Sequence, residues 1–217
     1  MNKDKNGCKK SSVSAWTYSI CLLPVILLAI YFQIRPFSDF LAKNSASLAC
    51  LERAQKINIR LAATKINGFI LKPGKEFSFN HVVGPRTYRR GFVAAPGYQA
   101  GRTVLTEGGA VCLVSSLLYK SALEAGLNVT ERKSHSRPIR SIAPGFDATV
   151  LYPRHDLKIR NQTSEPIIFQ LSSSANEVKI AINGRRTEPV VILSNQARRG
   201  ATGRLSVSVH KQQNGKT

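Results

Sequence analysis

Glu107-Gly-Gly-Ala-Val-Cys112-Leu-Val-Ser-Ser-Leu-Leu-Tyr-Lys-Ser-Ala-Leu-Glu-Ala-Gly126 is the stretch from which the fold is read. Its paired glycines let the backbone bend where other residues resist. Val114, Leu117, Leu118, Ala122 and Ala125 then recur at helical spacing, and Gly126 supplies a C-terminal stop. A loop therefore delivers Cys112 to the first turn of a helix. There, unpaired N–H groups and the positive end of the macrodipole stabilise a thiolate, the nucleophilic form of cysteine. The competing reading is a small buried hydrophobe, the commoner fate of a free cysteine.

Upstream, residues 51–67 predict a packing helix with Ile59, Ala62, Ala63 and Ile66 on one stripe, ended by Asn67-Gly68. Phe69–Leu71 and Phe77–Asn80 read as two short strands around the Lys72-Pro73-Gly74 turn. Arg86, Arg89 and Arg90 cluster beside Gly84-Pro85, a basic approach that suits one wall of an anionic cleft. Downstream of Gly126 the apolar period changes to 2, which predicts strands over 129–132, 148–152, 157–160, 166–171, 178–182, 190–193 and 205–209. Helices first and strands afterwards predict an α+β domain with a mostly antiparallel C-terminal sheet.

The chain has 217 residues, room for one ordinary domain. Its 32 Lys+Arg against 12 Asp+Glu give a net charge of +20 and predict a polyanionic environment. Residues 13–34 carry no charge and are long enough to span a hydrocarbon core of about 30 Å as a helix. Lys3, Lys5, Lys9 and Lys10 precede that run, so the positive-inside rule puts residues 1–12 in the cytoplasm and the domain outside the cell membrane, held by an uncleaved signal anchor. The expected order is then a linker over 35–50, a domain over 51–184 and a basic strand extension and tail over 185–217. Of the four cysteines, only Cys50 and Cys112 fall on the outer side, where they are free to pair or to stay reduced.

A thiol acyl-transfer site needs a base to take the proton and a group to orient that base. His135, in Lys133-Ser-His135-Ser-Arg137-Pro138, follows the first strand after the helix, and Asp147 opens the next. Cysteine on a helix, histidine on a strand and aspartate on its neighbour is the order of papain-like and transglutaminase-like folds. The expected fold is therefore a transmembrane helix followed by one papain/transglutaminase-like domain. His81 and His155 lack such a setting. No phosphate-cradling glycine loop, zinc spacing or dinucleotide fingerprint is present, so neither cofactor nor metal is expected. Nucleic acid is not an expected partner, because no DNA- or RNA-reading motif accompanies the charge.

Asn58-Ile-Arg-Leu-Ala-Ala63, Leu71-Lys-Pro-Gly74, Phe77-Ser-Phe-Asn80, Val83-Gly-Pro-Arg-Thr87, Gly108-Gly-Ala-Val-Cys112, His135-Ser-Arg-Pro138 and Pro144-Gly-Phe-Asp-Ala-Thr-Val150 together resemble the VanW domain. The resemblance runs from about Cys50 to Leu171. It implies a bacterial cell-envelope protein with a cysteine-dependent L,D-transpeptidase-like activity on peptidoglycan stem peptides, or alternatively an accessory protein associated with glycopeptide resistance. On that resemblance Cys112 is the nucleophile, His135 the general base and acid, and Asp147 its orienter. Arg137, Arg86, Gly108 and Gly109 are the substrate-binding residues. The implied partner is peptidoglycan or another anionic wall polymer, with the membrane reached through the N-terminal helix. Two positions depart from the family pattern Gly-Gly-Gly-x-Cys-Gln: Ala110 stands at the third glycine and Leu113 at the glutamine. The alternative implied by Leu113 is a non-catalytic envelope-binding or accessory protein in which Cys112 is structural.

Overall fold

Four small antiparallel sheets and two main helices build the domain in a computed structural model that describes Pro24 and residues 37–99, 102–137, 139, 142–186, 191–199 and 205–213. The largest sheet has the order β1(Asp39–Ser47), β9(Glu177–Gly184), β8(Ile167–Ser173), β2(Phe69–Leu71). Its inner face is set by strict alternation, with Ile167, Phe169 and Leu171 of β8 and Val178, Ile180 and Ile182 of β9 all buried. Helix α1(Arg53–Ile66) packs against β8, and α3(Cys112–Glu124) packs against β1 and β9.

Phe77 lies at the centre of the core, edge-on to Phe69 at 5.1 Å and to Phe169 at 5.2 Å between centroids. It belongs to β3(Glu76–Ser78), which joins β7(Lys158–Arg160) and β6(Asn128–Glu131) in a second sheet. β3 ends two residues short of the expected Asn80. Ser78 accepts a hydrogen bond from the His81 N–H at 3.0 Å and caps a short helix, α2(Phe79–Val83). A 3-10 turn, Tyr88–Arg90, leads to the β4(Ala94–Gln99) and β5(Arg102–Glu107) hairpin. β10(Val191–Arg199) and β11(Leu205–Gln213) form a second hairpin. A Cβ on Gly145, whose φ is +91°, would come within 2.8 Å of Val207 and 2.9 Å of Val209, so this hairpin seats directly on that glycine.

Three expectations are corrected. In place of a papain/transglutaminase-like domain with one C-terminal sheet, the described residues show a sheet-rich α+β fold divided into four small sheets. Among the described residues no helix is long and apolar enough to cross a membrane. The longest, α1, has 14 residues, about 21 Å of rise, and carries Lys56, Arg60 and Lys65; residues 13–34, apart from Pro24, lie outside the described residues. Residues 39–47, expected within a linker, form edge strand β1, because their alternating burial lets them pair along β9. The stretch 148–152 is not a strand: only Thr149 and Leu151 make isolated bridges, to Lys133 and His155.

Candidate active site

Cys112 is the first residue of α3, and the loop before it is shaped by glycines. Gly109 presses so closely on β4 that an added Cβ would lie 2.1 Å from the Ala95 carbonyl oxygen. Gly108, at φ +73°, leaves room for the stem of Arg86, which a Cβ would meet at 2.5 Å. Asn58 of α1, fully buried, ties the loop to β4. Its amide donates to the Val93 carbonyl at 2.9 Å and the Gly109 carbonyl at 3.0 Å, and its oxygen accepts from the Val93 N–H at 2.9 Å. The N–H groups of the loop are also committed: Gly108 donates to Val93 O, Gly109 to Thr106 O and Val111 to Gly108 O.

Two serines lock the helix to the segment carrying Asp147. Ser116 Oγ accepts from the Ala148 N–H at 2.8 Å and donates to the Cys112 carbonyl at 2.6 Å, while Ser115 Oγ donates to the Ala148 carbonyl at 2.7 Å. The Cys112 thiol then donates to the Val150 carbonyl at 3.7 Å. Across from this segment, the antiparallel bridge Lys133↔Thr149 sets a register that puts His135 opposite Asp147.

One Asp147 oxygen, Oδ2, accepts both the His135 ring Nδ1–H at 2.9 Å and the His135 backbone N–H at 2.6 Å. The other, Oδ1, accepts from Arg132 at 2.9 Å, and the Arg132 Nε–H donates to the Asp147 carbonyl at 2.7 Å. Arg132 is itself held over the Tyr119 ring at 4.9 Å. With Nδ1 committed to Asp147, Nε2 is the ring nitrogen left to serve Cys112, a close electrostatic neighbour of the imidazole. The Tyr98 ring stands edge-on to the imidazole at 6.4 Å.

The charges follow from these contacts. Burial alone pushes the His135 pKa down, but the hydrogen bonds to Asp147 and Cys112 and the charges of both groups outweigh it and raise the value to about 9. Burial likewise pushes the Asp147 carboxyl up, and the His135 hydrogen bonds with the Arg132 charge hold it below its ordinary value. At neutral pH the site therefore holds an imidazolium paired with the Asp147 carboxylate.

A family model described as VanW like protein matches residues 54–183, more than half of the chain. The chain belongs to the VanW family. Uncharacterized protein YoaR of Bacillus subtilis (strain 168) is 37% identical over 118 residues, covering 54% of this chain and 39% of that protein. Vancomycin B-type resistance protein VanW of Enterococcus faecalis (strain ATCC 700802 / V583) is 33% identical over 132 residues, covering 57% of this chain and 46% of that protein. The chain thus spans less than half the length of either relative. No solved structure matches.

Within the VanW domain the residues singled out by sequence separate into two groups. Cys112, His135 and Asp147 come together in one cluster. Arg137 is exposed, and among the described residues no recorded contact joins it to that cluster. Gly108 and Gly109 shape the loop by making room, with their N–H groups already bonded. Cys50 and Cys112 are both free, and Cys50 is exposed. Arg132 escaped the sequence reading because it closed an apparent strand; its only local signal is a basic residue three positions before the candidate histidine.

Leu113, at the family's glutamine position, is 5% exposed and packs in the core. Ala110, at the family's third glycine, has φ 74°, the left-handed region that glycine occupies without penalty. For alanine that conformation costs about 1–2 kcal/mol. Ala110→Gly is accordingly expected to raise unfolding free energy by about 1 kcal/mol in urea titrations, after allowing for the freer unfolded glycine; an unchanged or lower midpoint contradicts it.

Proposed function

We propose that this VanW domain is a cysteine acyltransferase acting on peptidoglycan stem peptides. The observation that carries the reading is His135 held by Asp147 on one ring nitrogen with Cys112 beside the imidazole, the order a thiol nucleophile requires. The peptide substrate comes from the family resemblance and from a relative named for vancomycin resistance.

In this reading His135 already carries the proton given up by Cys112, and the thiolate attacks the carbonyl that precedes the donor's terminal D-amino acid. The tetrahedral oxyanion collapses, the C–N bond breaks, and the imidazolium returns the proton to the leaving amine. An amine from a neighbouring stem then attacks the thioester, gives its proton to His135 and releases the thiolate. One amide replaces another, with no net oxidation. The first-turn N–H of Cys112 is the oxyanion donor of this reading, since the neighbouring amides of Gly108, Gly109 and Val111 are already bonded.

Intact-mass spectrometry after mixing the protein with a tetrapeptide donor tests the proposal. The expected product is an adduct on Cys112 equal to the donor acyl group without its terminal residue, absent from Cys112→Ala. Turnover by the alanine variant contradicts it. A second reading, an envelope-binding module with Cys112 structural, draws on Leu113 in the core and on the thiol contact to Val150. It predicts equal retention of wild type and Cys112→Ala on isolated wall, with no adduct on either.

A further inference from the structure

Arg86 is the one group near Cys112 whose chemistry the catalytic cluster does not use. Both guanidinium Nη atoms are buried and have no hydrogen-bond partner. The guanidinium lies over the Phe79 ring at 5.5 Å, and its stem fits the space that Gly108 leaves by lacking a Cβ. Its electrostatic neighbours are Cys112, Asp156 and Tyr152. Asp156 does not neutralise it, because that carboxylate is engaged elsewhere, accepting from Ser78 Oγ–H at 2.5 Å, the Asn80 N–H at 2.8 Å and the Leu157 N–H at 2.8 Å.

A guanidinium is planar, stays charged and presents paired N–H donors that match a carboxylate. Burying one without an anion is unfavourable, so a fold that builds a fitted seat for it is completed by a guest. The guest's route is defined by a cleft of about 570 Å³ lined by Pro85, Tyr152, Asp156 and Asn80 among others. Pro85 directly precedes Arg86, and Tyr152 and Asp156 are among its electrostatic neighbours. Arg86 thus neighbours both the nucleophile and two residues of that cleft's lining.

We infer that Arg86 receives the free carboxylate of the donor's terminal residue, so that Cys112 attacks the one carbonyl a single residue inside a carboxy terminus. This rests on the acyltransferase reading and adds its selectivity: the site trims the chain end and rejects internal or amidated positions. Of the two arginines named as substrate-binding, it gives the carboxylate to half-buried Arg86 and not to exposed Arg137.

The test compares a tetrapeptide donor bearing a free terminal carboxylate with the same peptide as its C-terminal amide. Wild type is expected to form the thioester about 100-fold faster, in kcat/KM, from the acid than from the amide. Arg86→Met should bring the acid-over-amide preference down to about one, with Arg86→Lys intermediate. Loss of an unpaired buried charge should not lower the melting temperature of Arg86→Met, so folding and selectivity are read separately. Equal wild-type rates on both donors, or equal losses on both in Arg86→Met, overturn the inference and leave the acyltransferase reading intact. Should wild type form no thioester at all, it is that reading that fails, and calorimetry on Cys112→Ala still decides the role of Arg86. Tighter binding of the acid than of the amide, lost in the added Arg86→Met, supports it; equal affinity overturns it.

Discussion

With His135 replaced by asparagine, thioester formation at Cys112 is expected to fall by about a thousandfold, the range lost when a positioned proton-transfer group is removed. The substitution takes away the base for the thiol and the acid for the leaving amine together. It should leave the fold intact, because the His135 backbone N–H to Asp147 and the Lys133↔Thr149 bridge do not involve the imidazole. Stopped reactions followed by intact mass, in a Cys50→Ser background that removes the exposed second thiol, supply the rate. A loss of less than about fivefold would show that Cys112 does not rely on His135.

Asp147→Asn is the substitution with the largest expected cost in stability, about 3 kcal/mol at pH 7. The Asp147 carboxylate is the shared acceptor for the His135 ring, the His135 N–H and the Arg132 guanidinium, with its side chain only 12% exposed. Asparagine keeps one acceptor oxygen but no charge, which leaves Arg132 and the imidazolium without compensation. The loss has a defined pH dependence. His135 is raised from 6.5 to about 9, so its contribution is fully present below pH 6.5 and disappears as pH rises to about 9. Asp147 is lowered, so its contribution is present above its ordinary value of 3.8 and lost as pH falls below it. Urea unfolding of the two proteins is expected to diverge most between about pH 4 and 6.5 and to converge toward pH 9. A constant difference from pH 5 to 9 would count against the charged pair.

Sequence periodicity located α1 and α3 to within a few residues, although only α1 buries a single stripe and α3 is buried nearly all round. Cys112 stood out at the start of a helix, whereas His135 and Asp147 stood out beside expected strands and lie in irregular chain joined by an isolated bridge. What periodicity could not supply is the partner across space. Residues 39–47 look like a linker until β9 lies beside them, and Thr149 to Leu151 look like a strand although only isolated bridges form there. Arg132 and Arg86 are two arginines among many in a chain of net charge +20. Only the fold shows that one is clamped on Asp147 and the other buried without a partner. Arg137 had the stronger local motif and is the one left in solvent. The strained backbone of Ala110 was equally hidden: its departure from the family's glycine was visible, and its positive φ was not.

The account stands on Cys112, His135 and Asp147 acting as one charged unit, and the His135 titration measures that unit without any assumption about substrate. Proton NMR of the imidazole over pH 5 to 11 should give a midpoint near 9 in the wild type. It should fall toward 6.5 in Asp147→Asn, and to a lesser extent in Cys112→Ala, where one hydrogen bond is lost. A wild-type midpoint near 6.5 that ignores both substitutions would contradict the account.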